Sequence, residues 1–85
     1  MTRWVIVTRD AYERWEATTD SDADADLRIA VLEWLHALID GPPLNGRFDE
    51  FRGTWFAEVS DTGVNIEYVV LRDLDPPAIV IREYW

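Results

Sequence analysis

The segment 78–85, AIVIREYW, places a possible anion-binding group beside possible stacking groups. Arg82 carries a guanidinium, whose planar fork of donors matches phosphate. Tyr84 and Trp85 are large aromatics on which a base could stack. The same pattern is also typical of a cross-strand aromatic that packs on an arginine stem and contributes only stability. Two interpretations therefore stand side by side: a nucleic-acid contact and a stabilising pair.

Metal chemistry is the next possibility, because the run 20–26, DSDADAD, begins as a calcium loop does. The rest of the loop pattern fails, since no central Gly and no closing Glu at the twelfth position follow. The run is better explained as an acidic entry to a helix, where carboxylates meet the positive end of the dipole. His36 has no second His and no Glu four residues away on its helix, which disfavours a metal or catalytic role. The sequence predicts no metal and no cofactor.

The formal net charge is −9, and all eight cations are arginines. So acidic a domain is repelled by phosphate backbones and anionic lipid, and a nucleic-acid function would need a local cluster of arginines. The acidity otherwise serves solubility. With no cysteine, disulfides and thiolate metal sites are excluded. The N-terminal apolar run is too short for a signal peptide, and no stretch is long enough to span a membrane, so we expect a cytoplasmic protein.

The 85 residues predict one domain that begins with a strand and two helices. Residues 3–8, RWVIVT, are typical of a strand. Residues 10–18 predict a helix with Ala11, Tyr12 and Trp15 on one side. Residues 26–39 predict a second helix that carries the core, and Gly41 with two prolines ends it. The helical spacing there involves Leu27, Val31, Trp34, Leu35 and Leu38, widened by Ile29, Leu32 and Ile39.

Three strand-like runs complete the chain as an antiparallel meander: TWFAEVS, VNIEYVVLR and AIVIREYW. The predicted class is α+β, in the order β-α-α-β-β-β, with both helices on one face of a small antiparallel sheet. The expected core comprises Ile6, Val31, Trp34, Leu35, Leu38 and Ile66. On a period of two, Ile79 and Ile81 pack under the helices and Trp85 closes the end of the core. Arg82 and Tyr84 then lie on the open face, near Asn65.

This organisation resembles the RelE/ParE toxin superfamily, and YoeB-type members most. The similarity spans almost the whole chain and is carried by YERWEATTD, GTWFAEV, GVNIEYVV and the terminal Arg-x-aromatic-aromatic pattern. It implies the toxin of a type II toxin–antitoxin system, acting as a ribosome-dependent mRNA endoribonuclease that needs no metal. The implied partners are a cognate antitoxin, the ribosome and mRNA, with no membrane.

The resemblance also implies site residues. Glu50, or alternatively Asp49, lies in the loop that supplies an acid or base in the family, and Arg82 matches its basic residue on the last strand. Tyr84 stands where the family has a penultimate His, and a tyrosine with a pKa near ~10 is a poorer base at neutral pH. Substrate contacts are expected from Asn65, in place of a strand Arg, and from Trp85, in place of a final Tyr. Arg47 and Arg52 complete the expected substrate contacts.

Two other functions remain open on the same fold. An acidic inhibitor could imitate nucleic acid for a basic partner protein, with 20–26, 49–50 and 73–75 supplying the charge. A ParE-like protein that binds gyrase would need no catalytic His.

Overall fold

The computed structural model of the protein describes residues 3–18 and 25–85. Strand β1 (Val5–Val7) leads into helix α1 (Arg9–Thr18), and helix α2 (Ala25–Ala37) continues into a 3-10 turn at Leu38–Asp40. Strands β2 (Arg47–Asp49), β3 (Thr54–Glu58), β4 (Asn65–Leu71) and β5 (Ala78–Tyr84) follow. The α+β class and both predicted helices are therefore confirmed. The acidic run at 20–26 lies mostly outside the described residues, and only Ala25 and Asp26 are placed, in the first turn of α2.

The sheet has five strands in the order β1-β5-β4-β3-β2, which differs from the prediction in two ways. The segment 47–49 forms an additional edge strand against β3. Strand β1 pairs with β5 in parallel, so the sheet is mixed rather than antiparallel. A parallel partner is possible because the chain between the two strands includes helices that supply the long crossover. The predicted meander of β3, β4 and β5 is antiparallel as expected.

Side chains alternate between the two faces of the sheet, and both helices contribute buried residues to the core on one of them. On this helix face, Ile66, Tyr68 and Ile79 are wholly buried, and Val31 of α2 packs into the same cluster. Ala11 and Trp15 anchor α1 there. The opposite, open face presents Val5, Val7 and Glu67, among others, by the strand register. None of the described helices is long and apolar enough to cross a membrane.

The predicted core is confirmed at Val31, Leu35, Leu38 and Ile66, while Ile6 and Trp34 are partly buried against it. The widening of the α2 stripe was wrong for Ile29 and Leu32, which are 54% and 51% exposed. A helix that is apolar nearly all round can bury only the side that meets the sheet, and nothing else among the described residues covers the other side.

A β-bulge changes the phase of β5 near its end. Tyr68 pairs with Ile81 and Glu67 pairs with Glu83, so Arg82 is an extra residue without a partner on β4. One extra residue reverses which later side chains face the core. Tyr84 accordingly lies in the core, and Trp85 is 54% exposed. The expectations that Tyr84 stands on the open face and that Trp85 closes the core were wrong for this reason.

Two leucines on α2 provide a matched test of this packing. Leu35→Ala should lower the free energy of unfolding by roughly 2–5 kcal/mol, because it removes buried contacts and leaves a cavity. Leu32→Ala, with the same chemistry on the exposed side, should change it by less than ~0.5 kcal/mol. Urea unfolding of both variants measures the difference, and equal effects would show that the helix is rotated from the orientation described.

Candidate functional site

A cleft of about 660 Å³ opens between the start of α1 and the bulged end of β5. Its floor is the open face of the sheet at Val80, Thr54 and Glu67. Four arginines line it, which is half of all the cations in the sequence. They are Arg9, Arg14, Arg52 and Arg82. We call this feature the arginine cleft.

The arginine cleft concentrates positive charge in an acidic protein. Its four arginines face three carboxylates, those of Asp10, Glu67 and Glu83, for a formal charge of +1. Because the whole chain carries −9, the remaining residues carry −10. An anion is therefore attracted to this cleft more than to the rest of the surface, and guanidinium groups are the donors that suit phosphate.

Glu67 organises the floor of the cleft. The residue is only 5% exposed, and its carboxylate accepts a hydrogen bond from Thr54 Oγ1 at 2.7 Å. Arg52 reaches both carboxylate oxygens, with Nε at 3.0 Å from Oε2 and Nη2 at 3.3 Å from Oε1. A buried carboxylate is costly unless it is paired and hydrogen-bonded, and here both conditions are met. The pair fixes the Arg52 guanidinium at the edge of the cleft.

The wall of the cleft joins α1 to the bulge. Arg14 Nη2 donates to the main-chain oxygen of Arg82 at 2.8 Å and lies 3.9 Å from Glu83 Oε1. Glu83 and Glu67 are cross-strand neighbours, and each carboxylate has its own arginine. Arg82, among the residues that the structure describes, has no carboxylate within salt-bridge distance. Its guanidinium is exposed and able to contact a ligand.

An aromatic pair adjoins the cleft on the open face. The rings of Phe56 and Trp85 are 5.7 Å apart at 71°. Arg52 Cζ lies 5.7 Å from the centre of the Phe56 ring, so one arginine contacts both the carboxylate floor and this pair. The exposed Trp85 ring offers a surface on which a flat group could stack.

Tyr84 is not among the residues that line the cleft, and its side chain packs in the core on the helix face of the sheet. Its ring stacks on Trp15 at 5.6 Å, and its hydroxyl is hydrogen-bonded to the Thr8 hydroxyl. Burial raises the pKa of Tyr84 to about 12, an effect that the Thr8 hydrogen bond partly offsets. A buried phenol with so high a pKa is positioned for stability and poorly placed to exchange a proton with a substrate on the open face.

The other expected site residues lie apart from the arginine cleft. Glu50 and Arg47 line a separate depression with Phe51, at the β2 edge. Asn65 uses its main chain to pair with Trp85, and its side chain reaches the Gly63 oxygen at 3.4 Å. The structure thus brings Arg52, Arg82 and Trp85 to one region and leaves Glu50, Arg47, Asn65 and Tyr84 outside it.

Sequence reasoning missed five polar residues that shape the cleft: Arg9, Arg14, Thr54, Glu67 and Glu83. Glu67 had a signal, because it is the one acid inside the otherwise apolar run IEYVV of a central strand. The α1 arginines had none, since only the packing of that helix beside β5 brings them to the open face. Among residues 3–18 and 25–85, no group of three potential His, Cys, Asp or Glu ligands is arranged to hold a metal ion.

Comparison of the chain with protein-family models, curated proteins and solved structures finds no match.

The Tyr84 environment predicts a loss of stability in alkali. The pKa of Tyr84 is raised in the folded state. Its contribution to the free energy of unfolding is therefore complete below the pKa of the unfolded state, near ~10, and is lost as the pH rises toward about 12. The expected loss is about 1.4 kcal/mol per pH unit within that window. The chain has neither Lys nor Cys, so tyrosines dominate titration there. Urea unfolding at pH ~9 and ~11 should show a smaller loss for Tyr84→Phe than for the wild type. An equal loss would mean that Tyr84 is not the buried phenol.

Proposed function

We propose that this protein is the toxin of a toxin–antitoxin pair, with a RelE/ParE-like fold, and that its arginine cleft binds and cleaves mRNA on the ribosome. The observation that carries the proposal is the gathering of four arginines in one cleft of a protein whose net charge is −9. The strand–helix–helix–sheet order supports it, because the resemblance implies the same order. A cognate antitoxin would be the partner that holds the toxin inactive.

The cleft residues suggest separate roles in RNA cleavage. Arg82 and Arg52 would hold the scissile phosphate and stabilise the charge that develops on it. Glu67 positions Arg52, because the contacts with Arg52 and Thr54 occupy both of its oxygens. Glu83, whose side chain is 57% exposed, is the accessible carboxylate and would serve as the general base. Trp85 would stack on a neighbouring base.

The proposed reaction is transfer of the phosphoryl group to the 2′-oxygen. Glu83 takes the proton of the 2′-hydroxyl while the 2′-oxygen attacks phosphorus. The bond between phosphorus and the 5′-oxygen breaks in the same step. Water supplies the proton to the 5′-oxygen, so the products are a 2′,3′-cyclic phosphate and a 5′-hydroxyl. Because the described cleft contains no histidine to act as the acid, we expect cleavage to be slow unless the ribosome supplies a group.

Arg82 gives the sharpest test. Arg82→Gln should lower the rate of RNA cleavage by ~10²–10³, because it removes a donor that strengthens as charge develops on the phosphate. Growth after induced expression and mapping of RNA 5′ ends measure the effect in cells. Arg3→Gln removes the same charge from an exposed position outside the cleft and should behave as the wild type. Wild-type protein that neither slows growth nor cuts RNA would contradict the proposal.

The charge outside the cleft favours a second candidate function. A formal charge of −10 on the residues outside the cleft suits a protein that binds a basic partner, either as an inhibitor that imitates nucleic acid or as a gyrase-binding toxin. For the acidic inhibitor, affinity for the basic partner should fall steeply with salt. Growth arrest without RNA cleavage, relieved by excess gyrase, would instead identify the gyrase-binding function.

A further inference from the structure

Tyr68 carries a buried hydroxyl that has no hydrogen-bond partner among the described residues. The residue is wholly buried on the helix face of β4, and its ring stacks on Trp55 at 6.3 Å. Burial raises its pKa above the ordinary value, so the phenol is protonated and able to donate at neutral pH. Nearly all buried polar groups in proteins have a partner, which makes this donor an exception to be explained.

The segment 41–46, GPPLNG, covers this hydroxyl. Gly46 lies so close that a Cβ at that position would collide with the Tyr68 hydroxyl oxygen, and it would also lie 3.4 Å from Trp55 Cε3. Leu44, at the tip of the segment, is fully exposed. Only a glycine leaves room for the phenol at position 46, and Leu44, the largest apolar side chain of the segment, is not packed in the core.

A cavity of about 330 Å³ lies under the same segment. Its wall is mostly apolar, and three of its lining side chains carry a polar group that can donate: the Tyr68 hydroxyl, the Arg72 guanidinium and the Trp55 indole N–H. The lining residues are Pro42, Pro43, Leu44, Gly46, Trp55, Tyr68, Val70 and Arg72. Arg72 rests over the Trp4 ring, with Cζ at 5.5 Å from its centre. No residue is shared with the arginine cleft.

The chemistry of this cavity selects an anionic acceptor with an apolar body. Arg72 can only donate, and a protonated phenol in an apolar site donates to whatever acceptor arrives. No side chain that lines the cavity carries a carboxylate to bind a cation or amine. Trp55 and the two prolines suit a flat or branched hydrocarbon group, and the volume is at the lower end of the ~300–1,000 Å³ typical of ligand sites.

We propose that this cavity binds a small hydrophobic carboxylate, whose apolar body packs on Trp55 and whose oxygens accept hydrogen bonds from Tyr68 and Arg72. A hydrogen bond from the ligand to Tyr68 requires the segment 41–46 to move off the Tyr68 hydroxyl. This site is independent of the proposed RNA cleavage, because it lies in a different part of the fold and uses different residues.

The test uses phenylacetate as the probe and phenylacetamide as its uncharged match. Titration of the ¹⁵N-labelled full chain should give saturable shifts at the amides of Gly46, Trp55 and Val70, with a Kd of ~1 mM or below for a ligand of about ten heavy atoms. Phenylacetamide should bind at least ~10-fold more weakly, because a hydrogen bond to a charged acceptor is stronger than one to a neutral acceptor. Tyr68→Phe and Arg72→Gln should each weaken phenylacetate binding by ~10-fold or more.

Two controls separate this site from its alternatives. Arg82→Gln should leave phenylacetate binding unchanged, and loss of binding in that variant would place the anion in the arginine cleft and overturn the proposal. Without ligand, Tyr68→Phe should melt at or above the temperature of the wild type, because it deletes an unpartnered donor. A clearly lower melting temperature would show that the hydroxyl already has a partner such as water. The proposal would also be overturned if no saturable shifts appeared at ~10 mM phenylacetate, which is ten times the expected Kd of ~1 mM.

Discussion

The β-bulge at Arg82 determines how the last strand serves the core and the open face at once. Before the bulge, Ile79 and Ile81 face the helices, and after the bulge Tyr84 faces them too. In a regular strand Tyr84 would point to the opposite face, because it is an odd number of residues from both isoleucines. Tyr84 then ties β5 to Trp15 of α1 and to Thr8. Bulges bend a strand and re-aim its side chains, and this one turns Arg82 and Glu83 toward solvent beside α1.

The Glu67 ion pair depends on that arrangement. Glu67 lies opposite Glu83 on the neighbouring strand, and two carboxylates so close would destabilise the sheet if both were unpaired. Arg52 compensates the buried carboxylate from the β3 side, and Arg14 approaches the exposed one from α1. Two of the arginines in the cleft are therefore needed to balance the two carboxylates of the sheet. Arg82 makes no direct contact with either carboxylate, so its guanidinium is available to bind a ligand.

The sequence predicted what local periodicity controls and missed what tertiary packing controls. The spacing of Val31 and Leu35 identified the buried side of α2, and the turn residues around 61–63 and 73–77 located the meander. The sequence could not show which of the residues 82–85 face the core, because AIVIREYW contains no Gly to mark the bulge. The short edge strand 47–49 is too brief for a periodic signal. Arg9 and Arg14 join the cleft only through the position of α1, which no spacing within the helix encodes.

The parallel pairing of β1 with β5 has a consequence for how the chain acquires its structure. Val5 pairs with Ala78, so the first strand of the domain has its partner in the last strand of the domain. Until β5 is in place, Val5 to Val7 have no hydrogen-bonded neighbour in the sheet, and Tyr84 cannot join Trp15 in the core. Contacts so distant along the chain slow folding, because loop closure must precede the gain from pairing. The pairing of β1 with β5 should therefore be one of the slower steps in the folding of the domain.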